Sequence, residues 1–402
     1  MIQKKPNKII YTLQDERFQK LLFQMIFALV VIAFVGSLYH NLVSALARRG
    51  IMPSFTFLRL AGGIDIGEHL IPFSNISSNA RALLVGLINT LSISILGIFF
   101  STILGIIVGL GRLSKNYMIR KFATIYVEFI RNIPLLVLLL FWYRGVFMTL
   151  PNIKNALIFH YMTTSDGYVS GLFILSNRGT SIAWPRRTYT FSLYLWILVI
   201  GMVIFFIVAN LLILKGRRTK RPHMITLWTF FSFLCVALVG WLLLRNSPFI
   251  LEYPYIKGFD ATGGLHLSTE YVCLFSGLIM YTAAYIGEIV RAGIQSVSKG
   301  QIEAARSLGL NEFQTIRLVV FPQALRVIIP PLTSSYLGVT KNTSLGVAIG
   351  YPDLFSVTGT LINQTGRAVE LILIVMGLYL SFSLITALFM NWYNRKVRLV
   401  ED

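Results

Sequence analysis

Residues 303–322 read Glu-Ala-Ala-Arg-Ser-Leu-Gly-Leu-Asn-Glu-Phe-Gln-Thr-Ile-Arg-Leu-Val-Val-Phe-Pro. Ser298, Lys299 and Gly300 break the helix that precedes this stretch, and 301–308 then strings together good helix formers, with Ala304, Ala305 and Leu308 on neighbouring faces. Gly309 stands where a left-handed C-terminal cap is wanted. Asn311 caps a second helix, and Gln314, three residues later, completes a capping box. Phe313, Ile316, Val319 and Val320 give that helix one apolar stripe, and Pro322 limits it. Two short helices set at an angle, with Glu303 as a charged handle beside two small alanines, form a surface for pressing on a partner. A DNA-reading helix pair has a similar outline, but this one is clamped between apolar segments and lacks a row of basic groove-reading side chains.

The surroundings of this stretch decide the fold class. The chain has 402 residues, 55% hydrophobic and only 13% charged, where a soluble domain carries about 25%. Its mean hydropathy is +0.70. A spanning helix needs roughly 20 mostly apolar residues, and seven runs qualify: 21–39, 83–110, 122–147, 193–214, 225–244, 271–290 and 371–390. An eighth, 325–340, is shorter, carries Pro330-Pro331 and several hydroxyl residues, and suits a broken helix buried in protein or lining a cavity. The expected fold class is an all-α integral membrane protein of about eight transmembrane helices.

Charge orients it. The net charge is +20, and 22 of the 36 Lys and Arg fall in loops on the side of both termini and of 291–326. The positive-inside rule places these in the cytoplasm and makes nucleic acid an unnecessary explanation of the charge. The N-terminus is basic, but the apolar run after it is too long for a signal-peptide core, so it reads as an uncleaved anchor. Cys235 and Cys273 lie in apolar runs and the five histidines are scattered, so neither a disulfide framework nor a metal site is expected. The outside stretches 40–82 and 148–192 are long and mixed, and read as linkers, lids or docking surfaces.

These residues carry a resemblance. Glu303-Ala304-Ala305, Gly309 and Pro322 resemble the "EAA" loop of bacterial ABC importer permeases, with Val319 and Phe321 where the family has Ile and Leu. Glu288 through Arg291, Pro322 through Arg326, Lys341 through Leu345, Asn89-Thr90-Leu91 and Arg131 through Leu136 resemble the permeases for polar amino acids, most closely general L-amino acid permeases. The resemblance implies a five-helix permease core in 83–147 and 270–402, with the coupling loop at 298–323. Residues 1–82 add a tail, an extra helix and an outside loop, and 148–269 form an insertion with two extra helices. It also implies two ATP-binding subunits, a second homologous permease subunit and a periplasmic amino-acid-binding protein, in the lipid of a bacterial inner membrane.

This chain has no G-x-x-x-x-G-K-[ST] loop, so it is not an ATP-hydrolysing enzyme by that route; ATP and Mg belong to the partner. Glu303, Ala304, Ala305, Gly309 and Pro322 are coupling residues, not catalysts. Lys341, Asn342, Thr343 and Ser344 offer a positive charge and hydrogen-bonding groups to a zwitterion, with Asn342 where relatives often carry Asp. Glu128, Arg131 and Glu288 are intramembrane charges and Arg291 follows just beyond; the four are candidates for structural or gating roles. Glu128 and Arg131 are spaced to pair on one helix face, and Glu288 and Arg291, equally spaced just before the coupling loop, read as interface residues. A permease for another small polar solute such as an opine is the nearest alternative. An ion-coupled secondary transporter would show an acidic or histidine cluster and paired broken helices, and the sequence offers neither.

Overall fold

The computed structural model describes residues 16–48, 54–216, 222–244 and 246–397. In chain order the helices are α1 (Glu16–Arg48), α2 (Asn79–Arg112), α3 (Tyr117–Arg131), α4 (Leu135–Phe141), α5 (Phe191–Gly216), α6 (Pro222–Leu243), α7 (Thr269–Gln295), α8 (Lys299–Ser307), α9 (Glu312–Thr315), α10 (Phe321–Asn342), α11 (Leu354–Thr365) and α12 (Ala368–Val397). All eight expected segments lie on helices. Among the described residues five helices are long and apolar enough to cross a membrane unaided, and α3 with α4 makes a sixth if the bent pair is one span. The remaining two, α5 and α6, are apolar helices of 26 and 22 residues packed on each other.

The break falls elsewhere than expected. Pro330 and Pro331 sit inside an unbroken α10. The hydroxyls of Thr333 and Ser335 bond back to the carbonyls of Ile329 and Pro331 four residues earlier, while the prolines leave the carbonyls of Arg326 and Val327 without their usual donors. The break comes instead at Asn132-Ile133-Pro134, where the chain bends by 104°. A proline disfavours helical geometry in the residue before it, and here no continuous helix spans the site.

The core is built on α2 crossing α7. A Cβ on Gly105 would lie 2.6 Å from Ile286, and one on Gly109 would lie 2.8 Å from the Gly287 carbonyl. Two glycines four apart thus let the backbones meet closely, which is how helices associate where lipid supplies no hydrophobic drive. Ile93, Leu139, Leu274 and Leu278 fill the middle of this core, with α4 bringing Leu139 to it. A second cluster, with Phe57, Leu83, Leu354, Leu361 and Leu371, joins the start of α2 to α11 and α12.

The stretches flanking α5 and α6 form sheet. The strands are β1 (Leu157–Phe159), β2 (Met162–Thr163), β3 (Val169–Ser170), β4 (Phe173–Ser176), β5 (Gly179–Ile182), β6 (Trp184–Arg187), β7 (Phe249–Glu252), β8 (Tyr255–Lys257), β9 (Asp260–Thr262) and β10 (Leu265–Leu267). Two four-stranded sheets, β1-β4-β5-β10 and β2-β3-β8-β9, and the β6-β7 ribbon are antiparallel throughout. Each sheet joins strands from before α5 to strands after α6. The unit is pinned to the core where Thr269, at the start of α7, donates its hydroxyl to the Asn177 carbonyl at 2.9 Å.

Candidate functional site

The polar helix pair is set by local bonds. After α8, the Gly309 N–H donates to the Arg306 carbonyl at 2.9 Å and the Leu310 N–H to the Ala305 carbonyl at 3.2 Å, the paired closure of a Schellman turn. Gly309 has φ +79°, which only glycine adopts without strain. Asn311 and Gln314 then form the reciprocal capping box, with bonds of 2.8 and 3.0 Å. Glu303 and Ala304 face outward, whereas Ala305 is buried and forms the floor. The apolar stripe divides. Val320 packs with Val297, Ala324 and Ile328, while Phe313 stays 70% exposed and Leu308, across the turn, 83% exposed. An exposed apolar pair beside a polar handle is a surface built to be covered.

Pro322 does not end the second helix. Ile316–Val320 winds as a π-turn that runs straight into α10, with Pro322 in the first turn of the latter. A proline cannot donate to the carbonyl four residues back, and an i→i+5 turn placed before it absorbs that loss without stopping the helix. The second helix of the pair is therefore fused to α10 with no intervening loop.

Charges gather, partly enclosed, at the junction of α2, α3 and α7. Glu288 accepts from Arg112 and from Arg291, and Arg131 lies 3.9 Å away. Arg112 is the most enclosed, its side chain 11% exposed. The expected Glu128–Arg131 pair does not form: Glu128 faces outward, and Arg131 turns to Glu288 and stacks its guanidinium 5.3 Å from the Tyr285 ring centre. Arg112 gave no signal in the sequence, because its partner is 176 positions away.

Lys341 and Asn342 end α10, and Thr343 and Ser344 open a 3-10 segment, Thr343–Ile349. Lys341 is exposed and Asn342 half-buried. Thr343 is fully buried, donating to the Thr340 carbonyl at 2.8 Å, and Ser344 donates to the Lys341 carbonyl at 2.7 Å. Of the four expected residues, two present themselves and two hold the turn. Among the described residues no cluster of His, Cys, Asp or Glu is arranged to hold a metal ion.

A further buried acid lies nearby. Asp353 is fully buried, caps α11 by accepting from the Ser356 N–H at 2.8 Å, and accepts from the Tyr379 hydroxyl at 3.2 Å. Burial pushes its carboxyl up to about 6, against the opposing pull of those bonds. An Asp before an apolar helix is a capping signal that sequence alone carries.

Residues 215–399 match the family described as binding-protein-dependent transport system inner membrane component. The chain is 42% identical over 389 residues to the general L-amino acid transport system permease protein AapQ of Rhizobium johnstonii, covering 96% of this chain and 94% of that one. It is 42% identical over 384 residues to the putative amino-acid ABC transporter permease protein YhdX of Escherichia coli K12, covering 94% of each. To the glutamate/glutamine/aspartate/asparagine transport system permease protein BztB of Rhodobacter capsulatus it is 37% identical over 410 residues, covering 96% of this chain and 95% of that one.

Proposed function

The chain belongs to the binding-protein-dependent inner membrane permeases of ABC transporters, and from that premise we propose how its parts divide the work of importing L-amino acids. It is a membrane permease subunit for amino acids, not an enzyme. The transport core is 83–147 with 270–402, and 148–269 is an insertion. Two ATP-binding subunits press on Glu303, Ala304, Ala305 and the turn at Gly309, a second permease subunit completes the pathway, and a periplasmic binding protein delivers the solute. Both termini and the helix pair face the cytoplasm, in keeping with the distribution of Lys and Arg.

One observation supports this reading: α9, the π-turn and α10 form one rod, and α8 is clasped to its end by the bonded turn at Gly309. The 22 residues of α10 span about 33 Å at 1.5 Å per residue, from the end of the π-turn to Lys341 and Asn342. A push on α8 passes through the bonded turn at Gly309 to the rod and repositions its far end. An apolar cavity of about 820 Å³, lined by Ile106, Val290, Val320, Ile328 and Phe389, flanks the rod and gives it room to shift. ATP and the loaded binding protein favour opposite arrangements, which is alternating access. At the far end the Lys341 ammonium meets a carboxylate and the Asn342 amide a second polar group of the solute.

The test is amino-acid uptake into proteoliposomes holding the complete complex. Vanadate abolishes uptake and an ionophore, with ATP maintained, leaves it intact. Loss of uptake to the ionophore alone would make the chain an ion-coupled carrier, and the helix pair would then have no ATPase to answer to.

A further inference from the structure

The turn that bears Lys341 and Asn342 is held from behind by side chains that touch no solute. Thr343, buried at the start of the 3-10 segment, stands beside the hydroxyl of Tyr379 on α12. That hydroxyl donates to Asp353 Oδ2 at 3.2 Å, while the second carboxylate oxygen caps α11. Thr90 on α2 also stands beside Tyr379 and accepts from the Leu354 N–H at 3.0 Å. Gly86, one turn before, allows this approach: a Cβ there would lie 3.0 Å from Leu354 Cα. Helices α2, α11 and α12 thus meet around Asp353 and Tyr379, at the end of the 3-10 segment that follows Lys341 and Asn342.

Such an arrangement decides where Lys341 points. A helix C-terminus leaves carbonyls unmet and frays. Here Thr343 and Ser344 satisfy two of them. The 3-10 segment they open is held at its other end, where the Tyr351 N–H donates to the Gly346 carbonyl at 3.0 Å and Asp353 takes the Tyr379 hydroxyl. A slip of one residue would swing Lys341 by about 100° around the α10 axis, away from its present face.

We propose that Tyr379 and Asp353 are positioning residues for substrate selectivity, fixing Lys341 and Asn342 towards the carboxylate groups of the transported amino acid. The inference rests on the reading of 341–344 as part of the pathway. Tyr379 contributes nothing to the solute directly; it acts through Asp353, which holds the far end of the segment that Thr343 opens.

The experiment compares L-glutamate with its neutral isostere L-glutamine. Uptake is measured in proteoliposomes of the complete complex, with binding protein saturated by each amino acid in turn, so that its own affinity drops out. The quantity read is the ratio of the two rates. Lys341→Gln lowers the glutamate-to-glutamine ratio, because a charge facing the side-chain carboxylate is gone. Tyr379→Phe lowers it in the same sense, by roughly fivefold, the factor carried by one ordinary hydrogen bond, and adds nothing in the Lys341→Gln background. If Tyr379→Phe slows both amino acids equally while Lys341→Gln shifts the ratio, Tyr379 is a structural residue and the positioning inference is overturned. A ratio untouched by Lys341→Gln removes the pathway reading, and the inference falls with it. Should Tyr379→Phe fail to assemble, the isosteric Asp353→Asn is measured on the same ratio: a lowered ratio supports positioning, and equal slowing of both amino acids overturns it.

Discussion

Replacing Gly309 isolates the turn from everything around it. The residue has φ +79°, and no atom lies within 4 Å of where a Cβ would stand. A side chain there meets no neighbour, so the whole penalty is the backbone's: about 1–2 kcal/mol for an L-residue in the left-handed region. Asn tolerates that region better than Ala, and β-branched Val worse. A difference of 1.4 kcal/mol is about tenfold in population, so Gly309→Ala leaves the two helices at their native angle several-fold less often. Gly309→Pro is more severe, because it also deletes the 2.9 Å bond to the Arg306 carbonyl. The assay is the number of amino acids imported per ATP hydrolysed by the reconstituted complex. The expected order is Gly, then Asn, then Ala, then Val and Pro. Gly300→Ala serves as control, since that glycine lies within α8, has no positive φ and no neighbour within 4 Å. Wild-type stoichiometry in the Val and Pro variants would refute the idea that this turn transmits force.

Three further outcomes test the packing and the charges. Gly109→Leu drives a side chain into Gly287 and Val290 and lowers stability by roughly 1–3 kcal/mol, whereas Gly338→Ala, inside α10 with nothing within 4 Å, is neutral or slightly stabilising; thermal unfolding of the solubilised complex separates them. Glu288→Ala strands the enclosed Arg112 and costs about 2 kcal/mol, less than a fully buried pair because water reaches part of the cluster; equal denaturant midpoints for the variant and wild type would contradict this. Asp353 titrates at about 6 in the fold against 3.8 in the open chain. The folded state therefore holds the proton more tightly, and its stability falls as pH rises from about 4 to 6 and is level above. Asp353→Asn removes that slope, worth up to about 3 kcal/mol, and a pH–stability curve of unchanged shape would show the carboxyl to be solvated.

Much of this was legible along the chain. Apolar runs of spanning length located the helices, because lipid forces each backbone to satisfy itself locally. The turn at Gly309 and the Asn311–Gln314 box were readable for a related reason: every bond in them joins residues within five positions of each other. The proline pair at 330–331 misled, since a helix packed on neighbours can carry prolines that an isolated one would not. Pro134 carried the same local signal within an apolar run, and there the helix did break.

Composition and short-range pattern thus determined a polytopic helical membrane protein with a capped, glycine-turned helix pair. Tertiary structure decided the rest. Strands of two to four residues are too short to announce themselves in mixed sequence, and they become sheets only by pairing across the α5–α6 excursion, as Thr180 does with Leu267. Glu288 drew Arg131 away from Glu128 because Arg112, 176 positions distant, brings the two helix ends together. Thr343, which the chain presents as a solute ligand, is fully buried by the helices around it and donates its hydroxyl to the Thr340 carbonyl. A sequence specifies what each residue can bond, but which partner it meets is set by the packing that brings distant helices to one point.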